Sequence, residues 1–340
     1  MELNRNILRN RHRLSERQID DFLGEETTHE SARDRILGMQ QIGSFLETAK
    51  LLQENGIEFI NLKGPLLSER IYGDPTYRYS RDFDILIKPN SLNKTLQLLQ
   101  EKGYEYPDFT WPESKKKQKI TLHFLNQVEM VHKQTGVMLE IHWKLFSTRI
   151  TDQKILGSLI KENIETVEFG GVELHRFSNE FELFYLIAHG GVHAWFRLKW
   201  LVDIHEMLER KSFAWDQFHS IISTCNAQKL VDICSAVLRE YFPKGPQIPG
   251  NEALSNKLAE IAVEQCRQPE DDPKASRTNT IKLILYRMRL IPTLRYKVDV
   301  SKVLTFCKTD LKYDWLPPYK FAYYLFRPAG FILRGIGVLK

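Results

Sequence analysis

The stretch Arg81-Asp82-Phe83-Asp84-Ile85-Leu86-Ile87 constrains this chain more than any other. In an extended strand, residues two apart share a face. Asp82 and Asp84 therefore point one way, while Phe83 and Ile85 point into a core. Two carboxylates on one face of an apolar strand are costly to bury unless a cation binds them. A hard divalent ion such as Mg²⁺ suits all-oxygen ligands and usually shares them with phosphates. A third carboxylate on a neighbouring strand completes such a site. Glu140 offers one within Val137-Met138-Leu139-Glu140-Ile141-His142-Trp143. His142 follows Glu140 by two and shares its face, and Trp143 turns toward the core.

The surrounding pattern places these runs in a mixed fold. Residues 1–24 are polar with sparse apolar positions and predict one surface helix. Apolar residues at near-helical spacing predict a helix from Ser31 to Asn55, where Asn55-Gly56 is a stop signal. A strand over Ile57–Leu62 runs into Lys63-Gly64-Pro65, which opens a helix with proline in its favoured first turn. Residues 73–80 read as a loop, Asp82–Lys88 as a strand and Ser91–Lys102 as a helix. A hydrophilic loop over 107–118 contains Lys115-Lys116-Lys117. Lys119–Asn126, Gln127–His132 and Val137–Trp143 read as strands, with a hairpin turn at Gln134-Thr135-Gly136. Beyond about residue 150 the period turns helical, apart from a short strand pair near Val167–Phe169 and Val172–His175. Helices are expected over 179–192, 196–210, 214–223, 227–241, 251–266, 277–290 and 317–336. The fold class is α+β, a small mixed sheet flanked by helices with a mostly helical C-terminal region. The expected units are an N-terminal helical extension (1–30), an α/β core (31–178) and a helical C-terminal domain (179–340).

Composition narrows the function. The chain holds 48 basic and 43 acidic residues, a net charge of +5 that gives no strong nucleic-acid signal. Cys225, Cys234, Cys266 and Cys307 form no Cys-x-x-Cys pair and no zinc spacing. Scattered thiols, without an apolar secretory segment near Met1, predict a reducing, cytoplasmic location. No apolar run reaches the length of about 18 residues that a transmembrane helix needs.

The turn at Lys63-Gly64 presents free N–H groups at a helix N-terminus, which suits a triphosphate. Arg78 and Arg81 flank the carboxylates. Either can bind phosphate through its planar fork, or Arg81 can simply balance the acids. His189 and His193 stand at zinc-pair spacing, but Gly190 occupies the position where a metalloprotease helix needs Glu. Lys199 and Asp203, four apart on one helix face, can pair.

Five ordered segments resemble the polymerase-β-like nucleotidyltransferases, and within them a bacterial family of uncharacterised nucleotidyltransferases. They are Leu62-Lys63-Gly64; Tyr72-Gly73-Asp74-Pro75 with Arg78; Arg81–Ile87; Glu140-Ile141-His142-Trp143; and His189-Gly190-Gly191-Val192-His193-Ala194-Trp195-Phe196-Arg197-Leu198-Lys199-Trp200 on to Asp203. The likeness as a whole covers roughly residues 35 to 210. The wider superfamily typically has Gly-Ser where this chain has Gly64-Pro65, so one usual phosphate contact is missing here.

The resemblance implies an Mg²⁺-dependent enzyme, with two ions, that moves a nucleoside monophosphate from an NTP to an acceptor and releases pyrophosphate. Asp82, Asp84 and Glu140 would be both catalytic residues and metal ligands. Lys63, Gly64, Arg78, Arg81, His142, His193 and Lys199 would meet the nucleotide or the acceptor. A peptide, sugar or small-metabolite acceptor fits the family. The same residues also suit three alternatives: kinase-like transfer of the γ-phosphate, a nucleotide-binding or regulatory module without turnover, and a toxin–antitoxin component. The aromatic, basic stretch from Trp315 to Lys340 is a candidate for contact with a membrane surface or a partner.

Overall fold

The computed structural model describes residues 3–26, 29–78, 80, 82–250, 257–268, 276–302, 310–311, 313 and 315–335. Its centre is a five-stranded sheet in the order β1-β2-β5-β4-β3. The strands are β1 (Phe59–Asn61), β2 (Asp82–Ile87), β3 (Tyr104–Glu105), β4 (Gln127–His132) and β5 (Met138–His142). β2 and β5 run parallel, with Asp84 opposite Glu140 and Leu86 opposite His142. The remaining pairs are antiparallel.

Alternation along β2, β4 and β5 gives the sheet two unlike faces. Phe83, Ile85, Val128, Met130, Leu139 and Ile141 are buried together against α3 (Ala32–Glu54) and α5 (Leu92–Glu101). Phe83 stacks on Phe45 with ring centroids 4.6 Å apart. The opposite face carries Asp82, Asp84, Glu140, His142 and Gln127, and looks into a cleft.

A larger apolar core lies beyond that cleft. It joins α4 (Pro65–Tyr72), α8 (Asn179–Val192), α9 (Lys199–Arg210), α10 (Trp215–Thr224), α11 (Gln228–Tyr241), α12 (Lys257–Arg267) and α13 (Ser276–Leu290). Two helices unnamed in the sequence reading, α7 (Gln153–Glu162) and α14 (Leu294–Lys302), also pack there. The short strand pair is longer than expected, β6 (Ile164–Phe169) with β7 (Val172–Phe177). It is tied to the main sheet by the Asn61 amide, which donates to the His175 carbonyl at 3.0 Å.

Two expectations are corrected. The N-terminal segment is not one surface helix. It forms α1 (Arg5–Asn10) and α2 (Glu16–Leu23), separated by a turn in which Arg13 takes a left-handed φ of 61°. Leu8, Leu14 and Ile19 are buried in the larger core. Burying apolar residues that sparse is possible because the segment is clamped by ions: Arg5 bonds Glu16 and Asp20, and Arg17 bonds Asp74. The strand expected at 119–126 is instead helix α6 (Lys115–Phe124). Ile120 and Phe124, one helical turn apart, pack on Tyr323 of α15 (Lys320–Gly335). The final five residues of the chain, Arg81 and the first part of the expected 251–266 helix lie outside the described residues.

Candidate active site

The site is built from four backbone devices. The first is the β2–β5 pair, which sets Asp84 and Glu140 side by side on one face. The second is the turn before α4. Gly64 adopts φ 74° and ψ −145°, a region open to glycine, and Pro65 fills the first helical position.

The third device is the loop Tyr72-Gly73-Asp74-Pro75. Gly73 ends α4 in the left-handed conformation. The Asp74 carboxylate accepts from the Thr76 N–H at 2.8 Å and from Arg17 at 2.5 Å. Ser68 Oγ donates to the Asp74 carbonyl at 2.6 Å and accepts from the Arg78 N–H at 3.0 Å. This loop therefore fixes where Arg78 emerges.

The fourth is the turn from α8 to α9. A Cβ on Gly190 would lie 2.2 Å from the Trp195 ring, and one on Gly191 would lie 2.4 Å from Leu230. These glycines let Trp195 and Leu230 press against the helix. Ala194 and Trp195 take φ of 50° and 53°, which turns the chain sharply and brings His189, His193 and Lys199 to one cleft.

That cleft has a volume of about 740 Å³. It gathers Lys63, Gly64, Arg78, Asp82, Asp84, Glu140, His142, His193 and Lys199, residues singled out from five separate segments. A second cleft of about 460 Å³, lined by α1, α2 and α3, shares Arg13 and Arg78 with it.

Electrostatics divide the two facing carboxylates. Burial alone would raise Asp84, but the Lys63 ammonium and the His142 hydrogen bond outweigh it and hold the carboxyl far below its usual range. His142 Nε2 lies 3.1 Å from Asp84 Oδ1 and 3.5 Å from Glu140 Oε2. For Glu140, burial dominates. With the like charges of Asp84 and Asp82 it pushes the carboxyl up to about 7, against the His142 hydrogen bond. Gln127 on β4 donates to Glu140 Oε2 at 2.5 Å.

A cationic and aromatic wall faces the acids. Lys63 Nζ sits 3.1 Å from His189 Nε2 and 5.3 Å from the Tyr185 ring centre. Burial, then Lys63 and His193, keeps His189 well below its ordinary pKa. His193 lies 5.4 Å from Trp200 between ring centroids. Lys199 is buried, and burial followed by the nearby Arg78 lowers its ammonium to about 7 despite Asp203 and Asp82. Arg78 is also buried. Its Nε donates to Asp203 Oδ1 at 2.8 Å, and Nη1 to Ser80 Oγ at 3.0 Å.

Several residues of the site were not in the sequence-derived set. Gln127 and Glu129 carry the polar half of the β4 alternation, a signal that was present in the sequence. Tyr185 lies one helical turn before His189 on α8. Arg13 gave no signal. It reaches the cleft because Leu198 N–H donates to His12 Nδ1 at 3.0 Å, docking the α1–α2 turn on the start of α9.

Donor atoms of Asp84, Glu140 and His142 lie within 4.8 Å of one another. Carboxylate oxygens from adjacent strands, with Asp82 one step along the same face, fit a hard divalent cation. The cleft thus combines a mixed sheet with paired acids on one face and a basic strand-to-helix turn beside them. The chain belongs to the family described as "Uncharacterised nucleotidyltransferase", whose model matches residues 9–243. No curated protein matches the chain. Among the described residues, no helix is long and apolar enough to cross a membrane.

Proposed function

We propose that this protein transfers a nucleoside monophosphate from an NTP to a hydroxyl of a peptide, sugar or small-metabolite acceptor. The observation that carries the reading is the Asp84–Glu140 pair across parallel strands, facing Lys63 at a strand-to-helix turn in one cleft. Asp82 and Asp84 would hold Mg²⁺, which would supply charge neutralisation at the leaving pyrophosphate and polarisation of the acceptor oxygen.

The chain's own groups do the rest. Lys63 and the backbone at Gly64 receive the triphosphate, and Lys199 adds charge from the helical side. Arg81 remains a phosphate contact on sequence grounds alone. Arg78, with its Nε given to Asp203, positions the loop in front of β2. His193 and Trp200 offer ring surface to the base. The acceptor oxygen attacks the α-phosphorus in line, and the bond from that phosphorus to the bridging oxygen breaks. Pyrophosphate departs with the electron pair. Glu140, beside the cation and not on it, accepts the hydroxyl proton on a carboxylate oxygen. His142 orients both carboxylates from Nε2.

Mass spectrometry of products formed from the four NTPs, Mg²⁺ and a metabolite and peptide extract tests this. The reading expects an acceptor heavier by one nucleoside monophosphate, with pyrophosphate released. An acceptor heavier by one phosphate alone contradicts it.

A further inference from the structure

The charge of this chain is unevenly placed. Residues 276–340 hold 13 basic and three acidic residues, whereas the preceding 275 hold 35 basic and 40 acidic. The basic end also carries exposed apolar surface. Trp315, Tyr319, Phe321 and Leu325 are 60%, 55%, 63% and 75% exposed. Tyr319 and Phe321 stack on each other at 5.8 Å and 10° while both remain open to solvent. Phe321 and Leu325 are four apart on α15 and so share one face. The opposite face of the same helix is fixed, because Tyr323 is fully buried against Ile120, Leu311 and Leu316.

The helix beneath adds further positive charge. α6 exposes Lys115, Lys116 and Lys119, and its Lys117 ammonium is bound to the carbonyls of Leu311 and Tyr313 at 3.2 and 3.4 Å. Lys320 is exposed at the start of α15. His123 on α6 and Lys144, whose ammonium donates to the His123 carbonyl at 2.9 Å, are held below their ordinary values, by burial first and then by neighbouring cations that include Lys302 and Lys320.

We propose that α15 and α6 together dock this protein on an anionic lipid surface. Trp315, Tyr319, Phe321 and Leu325 enter the headgroup boundary, and the lysines of α6 with Lys320 face the lipid phosphates. Aromatic residues with an apolar body and a polar tip favour that boundary, and clustered lysines are drawn to anionic headgroups. α15 has 16 residues, so it lies on the surface and does not span. A nucleic acid would use the lysines and rings but gains little from Leu325, the most exposed of the four apolar residues.

Flotation of the full chain with vesicles tests the proposal. One set contains roughly one-third phosphatidylglycerol in phosphatidylcholine, the other phosphatidylcholine alone. Two variants are compared with wild type: Phe321→Ser with Leu325→Ser, and Lys115→Glu with Lys116→Glu and Lys119→Glu. Wild type is expected to float with the anionic vesicles only and to be released by about 0.5 M salt. Each variant, with an unchanged melting curve, should lower the bound fraction by about tenfold. The lysine variant keeps the test decisive if the apolar one misfolds. No flotation at low salt overturns the proposal, as does flotation that neither variant weakens. A dimer lost in the Phe321/Leu325 variant, without lipid binding, assigns the face to a second copy. Tighter binding to a single-stranded oligonucleotide than to vesicles assigns it to nucleic acid.

Discussion

Asp84 and Glu140 are neighbours in register, yet their surroundings drive their protons apart. Asp84 is kept ionised by Lys63 and His142 against its burial, and Glu140 is pushed up to about 7. Two carboxyls separated in this way suit different roles, one a constant charge and the other a proton acceptor. Replacing Asp84 by Asn should lower nucleotidyl transfer by about a thousandfold or more, read as turnover with the melting curve as control. Glu140 accepts a proton only when ionised, so turnover should fall toward acid pH, from a point below the metal-free value of about 7 because bound Mg²⁺ offsets the charges of Asp82 and Asp84. Glu140→Gln should remove that limb, and a wild-type rate flat from about pH 4.5 to about pH 8.5 would contradict the role. The acids themselves were legible, because strand alternation puts Asp82 and Asp84 on one face whatever the tertiary fold. The surroundings of Arg78 were not. Its fork reads as a phosphate ligand, but its Nε is held by Asp203, 125 residues away, and a single sequence carries no trace of such a pairing.

Among elements, α8 was legible to the residue, since caps and period agree: Ser178 caps its N-terminus and the helix runs to Val192. α6 misled because Ile120, Leu122 and Phe124 alternate like a strand. The helical spacing of Ile120 and Phe124 prevails because Leu316 and Tyr323, nearly 200 residues on, cover that face. Glycines separate elements that can change from those that cannot. Gly190→Ala would drive a Cβ into Trp195 and should destabilise the fold by about 2 kcal/mol or more in denaturant titration, disturbing His189 and His193 as well. Gly157→Ala in α7 meets nothing within 4 Å and should stabilise by about 0.5–1 kcal/mol. α14 is held to the loop before α7 by Asp299, which accepts from the Arg149 side chain at 2.6 and 2.9 Å. Burial would raise Asp299, but Arg149 and Lys302 lower it to about 2. A carboxyl depressed on folding stabilises above its unfolded value of 3.8 and loses that contribution as pH falls through about 2. Asp299→Asn should therefore cost about 1 kcal/mol near neutrality, a modest figure because Arg149 is 41% exposed and screened. The difference from wild type should shrink below about pH 3.

At the scale of the molecule, the site is a seam. One wall is the sheet face, the other is α8 and α9, and the α1–α2 turn closes one end with Arg13. The mixed sheet with a helical C-terminal region was legible from element order. The folding-back of the N-terminal helices onto the core was not, because Leu8, Leu14 and Ile19 are too sparse to signal burial without the ion pairs that clamp them. On the proposed function this seam receives an NTP and an acceptor, and the reaction turns on which phosphorus is attacked. The measurement that decides is transfer of label from NTPs carrying ³²P at either the α- or the γ-position, with Mg²⁺ and a host extract, and with Asp84→Asn as control. The account predicts α-label on the acceptor, abolished in the control. Transfer of γ-label alone would contradict it and make the protein a kinase-like enzyme on the same fold.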